Sequence, residues 1–169
     1  MLINVIISAF LWARDRAILY KSLFFVWLAT LATFFVQGAA PDDKFFVIVS
    51  FSFCVTIGFA LSYLLRNIEG VKVPWRIFVG AYVIGFAATS FLYKLGFGFT
   101  LYSLPLTFAT ALPYIYTPTI LFFEKRRGLS FSVKGFALSS FLLGIHVLDY
   151  PVLRFRVSSA SIGFTIACL

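Results

Sequence analysis

Long apolar runs separated by short charged segments are the feature that most constrains how this chain can fold. A helix needs about 20 predominantly apolar residues to cross the bilayer core, where every backbone polar group must be paired. Runs of this kind recur along the sequence. They predict an all-α, polytopic transmembrane bundle of about seven helices, the first and last short or truncated, near residues 2–13, 22–37, 45–65, 77–93, 101–123, 133–148 and 157–169.

The composition agrees with a membrane location. Hydrophobic residues make up 62% of the chain and charged residues 12%, whereas soluble domains average roughly 45–50% and about 25%. The net charge of +8 comes from basic residues that lie in short segments between apolar runs. Anionic lipid headgroups explain that arrangement better than a nucleic acid does, so the bilayer is the expected partner.

The basic residues also predict an orientation. The first, third and fifth loops, with the adjacent Lys134, hold Arg14, Arg16, Lys21, Arg66, Lys72, Arg76, Lys125, Arg126, Arg127 and Lys134. The other loops hold only Lys44, Lys94, Arg154 and Arg156. Because positive charge accumulates on the cytoplasmic side, the odd-numbered loops are expected in the cytoplasm and the N-terminus outside. A completed last helix would then deliver the chain to the cytoplasm.

Residues 144–154 concentrate the polar chemistry of an otherwise apolar region. The candidate sensing or structural residues there are His146, Asp149, Tyr150, Pro151 and Arg154. A proline disfavours helical dihedral angles at the residue before it, so the preceding helix is expected to end near Asp149. The motif therefore predicts a helix end followed by a turn.

Asp149 would then lie at the negative end of a helix dipole and need a cation. Arg154 is the expected salt-bridge partner. His146 is expected to face the bundle, on the same helix face as Ser139 and Leu143. Two interpretations stay open, a small polar site at a membrane face or a turn held by an Asp–Arg pair.

Two other patterns concern helix contacts. Small residues recur every four positions on the third and fourth helices, at Ser50, Cys54, Gly58, Ser62, Ala81, Gly85 and Thr89. Such faces let membrane helices approach closely, either within the chain or in a homodimer. The fifth helix carries a candidate hinge at Pro105, Pro113 and Pro118, since each proline frees a backbone carbonyl and can kink the helix. Irregular packing alone is the alternative.

No enzymatic constellation is expected in this chain. The six acidic residues lie in loops or at a helix end, and a single histidine cannot build a His-rich metal site. Cys54 and Cys168 lie in apolar runs and are expected to be small buried residues. The predictions are therefore no catalytic residues, no metal and no cofactor.

The run Gly-Ile-His-Val-Leu-Asp-Tyr-Pro-Val-Leu-Arg after a hydrophobic helix resembles the multi-helix (7TM-type) membrane sensor segment of bacterial signalling proteins. In that family the segment precedes cytoplasmic PAS, GGDEF (diguanylate cyclase), EAL or histidine-kinase domains. The resemblance implies a non-catalytic sensor of the inner membrane, an unidentified stimulus and an output domain after residue 169. The chain departs from the pattern at Phe155, where family members usually have proline.

Two other functions remain as alternatives. The proline-interrupted fifth helix is also compatible with a small membrane transporter or the membrane subunit of one. An intramembrane enzyme acting on lipids would use His146 and Asp149 as its acid and base. The last apolar run reaches Leu169 without a polar end, as is typical of a truncated chain.

Overall fold

Helices account for all the regular structure in the described part of the chain. A computed structural model describes residues 1–39, 43–124 and 128–153. Its helices are α1 (Leu2–Asp15), α2 (Ile18–Ala39), α3 (Lys44–Phe51), α4 (Cys54–Glu69), α5 (Trp75–Lys94), α6 (Phe99–Glu124) and α7 (Phe131–Leu153). Five spans among these residues are long and apolar enough to cross a membrane, with α3 and α4 forming one of them. The all-helical, multi-pass prediction is thus confirmed, whereas the seventh predicted helix, 157–169, lies outside the described residues.

The helices differ from the predicted ones at the start of α2 and within the third predicted span. Lys21, expected in the first loop, lies in the first turn of α2, because the apolar residues before it extend that helix back to Ile18. The third predicted helix is interrupted after Phe51, and the N–H of Val55 donates to the carbonyl of Ser52 three residues earlier at 2.9 Å. The Ser52 hydroxyl donates to a carbonyl of the preceding turn, an interaction that bends helices.

α6 is the central helix, since it contacts α4, α5 and α7. Three glycines allow these contacts. A Cβ atom on Gly85 would lie 2.8 Å from the carbonyl oxygen of Pro105, and one on Gly58 or Gly144 would lie 2.8 Å from an atom of Tyr114. Side chains at these positions would force the helices apart, so the small residues set the interhelical distances.

Part of each predicted small-residue face packs on α6 of the same chain, namely Gly58 and Ser62 of α4 and Gly85 and Thr89 of α5. Ser62 donates to the carbonyl of Pro113 at 3.1 Å, and its oxygen lies 2.8 Å from the Thr117 hydroxyl. On α5, the Thr89 hydroxyl accepts from the N–H of Leu106 at 3.2 Å. These groups are buried, and the hydrogen bonds satisfy polar atoms that an apolar surrounding cannot satisfy.

Aromatic contacts show which helix ends lie together. The Phe45 ring at the start of α3 stacks on Tyr93 near the end of α5, with centroids 4.5 Å apart. Further along the α3–α4 span, Phe59 contacts Trp75 at the start of α5, with ring centroids 6.0 Å apart. Successive connections therefore alternate between two ends of the bundle, as in an up-and-down arrangement.

Replacing Ser62 by alanine is expected to lower the free energy of unfolding by about 0.5–1.5 kcal/mol, because both of its interhelical hydrogen bonds are lost. Unfolding by sodium dodecyl sulfate in mixed micelles measures this change. Ser90→Ala is the control, since the Ser90 hydroxyl donates only to the Phe86 carbonyl within its own helix. Equal losses in the two variants would contradict the role of the α4–α6 hydrogen bonds.

Candidate functional site

The polar motif lies within the last two turns of α7, and the predicted helix end near Asp149 is wrong. α7 continues through Pro151 to Leu153. Tertiary contacts offset the local preference of the proline: Thr100 donates to the Pro151 carbonyl at 3.3 Å, and Tyr150 stacks on Phe51 with centroids 3.8 Å apart. These contacts pair a terminal carbonyl and bury the motif's aromatic ring, which favours the helical path.

His146 and Asp149 form the polar centre of this site. The Nδ1 atom of His146 lies 3.3 Å from Oδ1 of Asp149, one helical turn along α7. Both side chains are partly exposed, at 40% and 42%. The pair can therefore respond to the surroundings of the bundle while remaining attached to its packed interior.

The salt bridge expected between Asp149 and Arg154 stays a prediction. Arg154, the predicted partner, lies outside the described residues, as does Arg156. Within the described residues, Oδ1 of Asp149 is buried and has no hydrogen-bond partner, because its contact with His146 is close but not aligned for a hydrogen bond. A buried carboxylate oxygen of this kind favours an additional donor or cation.

A cavity of about 430 Å³ lies beside the histidine, between α4 and α7. Leu61 on α4 faces it across from Ser139, Leu143 and His146, which lie on one face of α7. Phe136 closes the apolar part. The cavity is of the size that accepts a small ligand, with a few polar groups on mostly apolar walls.

The chemistry available here is binding and proton exchange. An imidazole next to a carboxylate can accept or donate a proton and can hold a hydrogen-bond donor or a small cation. In residues 1–39, 43–124 and 128–153, no group of three or more His, Cys, Asp or Glu side chains is placed to hold a metal ion. The described geometry is that of a polar binding site.

The candidate hinge lies in the centre of the bundle. α6, the fifth predicted helix, continues through Pro105, Pro113 and Pro118, and the expected kink stays a prediction. Hydroxyl groups near the prolines donate to carbonyls of the same helix, for example Thr107 to Ser103 at 2.9 Å. Such bonds pair the hydroxyl hydrogens inside an apolar bundle.

Several residues of the site had no signal in the sequence. Phe51, Leu61 and Phe136 come from apolar runs in which nothing distinguishes them from lipid-facing neighbours. Thr100 follows a glycine-containing turn and reaches α7 only because the α5–α6 connection lies at the same end of the bundle. Only the arrangement of helices brings these residues to the motif.

Replacing Tyr150 by leucine is expected to lower the free energy of unfolding by about 0.5–1.5 kcal/mol, because the ring stack on Phe51 is lost. Tyr150→Phe retains the stack and is the matched control, expected to lose less than Tyr150→Leu. Detergent unfolding of both variants in one micelle composition measures the difference. If Tyr150→Phe were as unstable as Tyr150→Leu, the ring stack on Phe51 would not be what stabilises this end of α7.

Comparison of the chain with known proteins yielded no match to a family model, to a curated protein or to a solved structure.

Proposed function

We propose that the chain is the membrane-embedded sensory segment of a bacterial signalling protein and is not itself catalytic. The observation that carries the proposal is the His146–Asp149 pair, partly exposed and placed beside the α4–α7 cavity. A polar pair in an apolar bundle is costly and is typically retained for a functional role. The resemblance of residues 144–154 to sensor segments supplies the class of function.

The proposed orientation places this site on the outer face of the inner membrane. Ten of the 14 basic residues lie in or next to the loops at the opposite end, which the positive-inside rule assigns to the cytoplasm. Lys21 is consistent with this arrangement, because its ammonium group lies 5.3 Å from the ring of Tyr63 on α4, towards that same end. An external stimulus would then reach His146 and Asp149 directly.

Signal transmission in this proposal runs along α7. Val147 and Tyr150 join one apolar cluster near the motif, whereas Ala137 and Val133 join a second cluster towards the other end. A rigid helix fixed in both clusters passes a shift at one end to the other. A stimulus that changes the contacts of Asp149 would therefore change the packing around Val133.

Disulfide crosslinking between α6 and α7 tests this coupling. Phe122 and Val133 both pack on the second cluster, so cysteines at these positions report its geometry. In a protein with Cys54 and Cys168 replaced, His146→Ala and Asp149→Asn are expected to change the rate of crosslinking. Ile145→Ala, at an exposed position on the same helix, is expected to leave the rate unchanged. Identical rates in all variants would contradict signal transmission along α7.

The reading frame of the gene gives an independent test. The proposal expects the frame to continue beyond codon 169 into a PAS, GGDEF, EAL or kinase-like region. A stop codon directly after residue 169 would contradict a sensor with its output domain on the same chain.

The orientation makes a separate prediction. Cysteine at position 126 is expected to resist an impermeant thiol reagent in whole cells, whereas cysteine at position 154 is expected to react, because the charge bias puts 126 in the cytoplasm. The background lacks Cys54 and Cys168, and lysed cells control for intrinsic reactivity. Reaction at position 126 with protection at 154 would reverse the proposed topology.

A transporter is the second candidate, favoured by the interrupted α3–α4 span. Transport sites often lie where a membrane helix is broken near the bilayer midplane. Ser52 at this break is buried and shares a hydrogen bond of 2.8 Å with the Tyr82 hydroxyl on α5. Uptake of a solute by proteoliposomes containing the purified chain, abolished by Ser52→Val, would favour this function over the sensor.

A further inference from the structure

A second cavity lies between α2, α4 and the start of α5. It encloses about 430 Å³ and is lined by Lys21, Ser22, Phe25, Phe59, Tyr63 and Trp75, among others. Its size is that of a ligand site. The lining combines one cationic group and hydroxyl groups with aromatic walls, so the cavity has an amphipathic character.

Ser22 indicates that this cavity receives a polar group. The residue is 3% exposed, and its hydroxyl oxygen is buried without a hydrogen-bond partner in the described part of the chain. On the same helix, the buried hydroxyls of Thr30 and Thr33 donate to the carbonyls of Val26 and Ala29. A polar group of a ligand beside Ser22 would supply the hydrogen-bond partner that this hydroxyl lacks.

Lys21 indicates that the ligand carries a negative charge. Its ammonium group lies over the Tyr63 ring at 5.3 Å, which holds the charge at the cavity. The acid nearest in sequence, Asp15, is engaged by Arg14 at 2.8 Å. Among residues with described side chains, Lys21 forms no salt bridge, so the cation remains available to an anionic ligand.

The aromatic walls indicate the rest of the ligand. Phe25 and Phe59 present apolar surface next to the polar groups, and Trp75 stands edge-on to Phe59 with centroids 6.0 Å apart. Tryptophan and lysine commonly lie at the level of lipid headgroups. The combination fits an anionic headgroup at Lys21 and Ser22 with an acyl chain along the phenylalanines.

We propose that this cavity is a specific binding site for one anionic phospholipid. Lys21 contributes an ion pair to the phosphate, and the Ser22 hydroxyl donates a hydrogen bond to one of its oxygens. Phe25 and Phe59 contact the acyl chain. The site is separate from His146 and does not depend on the sensory function proposed above.

Native mass spectrometry of the detergent-purified chain tests the proposal. Phosphatidylglycerol and phosphatidylcholine with identical acyl chains serve as probes. The wild-type chain is expected to bind the anionic lipid roughly tenfold more tightly, as one charge-assisted interaction implies. Lys21→Ala is expected to remove this preference, whereas Lys134→Ala, which removes an exposed cation at the start of α7, is expected to retain it. No preference in the wild type, or equal losses in both variants, would overturn the proposal.

The Ser22→Ala variant provides a second test of lipid binding, and this test does not depend on whether the Lys21→Ala variant folds. The lipid-free variant is expected to be at least as stable as the wild type, since an unpaired buried hydroxyl is removed, but to bind phosphatidylglycerol several-fold more weakly. Unchanged lipid binding would overturn the role of the hydroxyl. Oleate is the third probe, and its displacement of phosphatidylglycerol at equal concentration would reject a phospholipid in favour of a free fatty acid.

Discussion

Tyr114→Ala is expected to lower the free energy of unfolding by about 3–5 kcal/mol, the cost of removing a large aromatic side chain from a packed core. Tyr114 is 1% exposed and belongs to the cluster shared by α3, α4, α6 and α7. It contacts Gly58 on one side and Gly144 on the other, and its hydroxyl donates to the Cys54 carbonyl. A truncation here leaves a cavity between three helices. Unfolding in mixed micelles measures the loss.

Phe108→Ala is the matched control for this experiment. Phe108 lies on the same helix and is 59% exposed, so its ring contacts the surrounding lipid or detergent. Its truncation is expected to change the unfolding free energy far less than that of Tyr114, because lipid fills the vacated space. Similar losses in the two variants would show that α6 is not the packed centre of the bundle.

Tyr114→Phe separates packing from hydrogen bonding at the same position. It keeps the ring between Gly58 and Gly144 and removes only the hydroxyl that donates to Cys54. The expected loss is about 1 kcal/mol, the net contribution of one hydrogen bond. If Tyr114→Phe lowered the unfolding free energy as much as Tyr114→Ala does, packing of the ring would not be the main source of the stability lost in the alanine variant.

Gly85→Leu is expected to lower the free energy of unfolding by about 1–3 kcal/mol or to prevent folding, because it overpacks the α5–α6 contact. A Cβ atom on Gly85 would lie 2.8 Å from the Pro105 carbonyl oxygen and 2.9 Å from Cβ of Ala109. The first neighbour is backbone of the central helix and cannot rotate away. Relief requires α5 to move outward, which also breaks the hydrogen bond from Leu106 to Thr89.

Gly80→Leu is the control on the same helix. A Cβ atom on Gly80 meets nothing within 4 Å, and leucine has a better helix propensity than glycine. This variant is expected to be as stable as the wild type or more so. A Gly85 variant of equal stability would contradict the close approach of α5 and α6.

The agreement between the predicted and observed fold comes from local requirements. Crossing the bilayer core needs a continuous apolar helix, so spans can be identified from run length alone, as for α5 and α6. Small residues at four-residue spacing mark one helix face, and Gly58 and Gly85 indeed lie at close helix contacts. Neither pattern predicts which helix lies opposite. In the structure, α6 lies opposite both Gly58 and Gly85.

The end of α7 shows where local reasoning fails. Pro151 predicts a helix end because of its own backbone chemistry. The contacts of Tyr150 with Phe51 and of Thr100 with the Pro151 carbonyl outweigh that preference. Similarly, Ser52 at the interruption after Phe51 shares a hydrogen bond with the Tyr82 hydroxyl of another helix. These partners are distant in sequence, so their energies are absent from any local pattern.

The sequence by itself determined the membrane class, the approximate spans and the uneven distribution of basic residues, because each follows from the cost of placing polar groups in hydrocarbon. The tertiary structure alone decided which helix is central, how α7 continues past its proline and which side chains line the two cavities. The physical reason is that hydrophobicity is a property of a segment, whereas a cavity such as that beside Ser22 is formed by the shapes of several segments packed together.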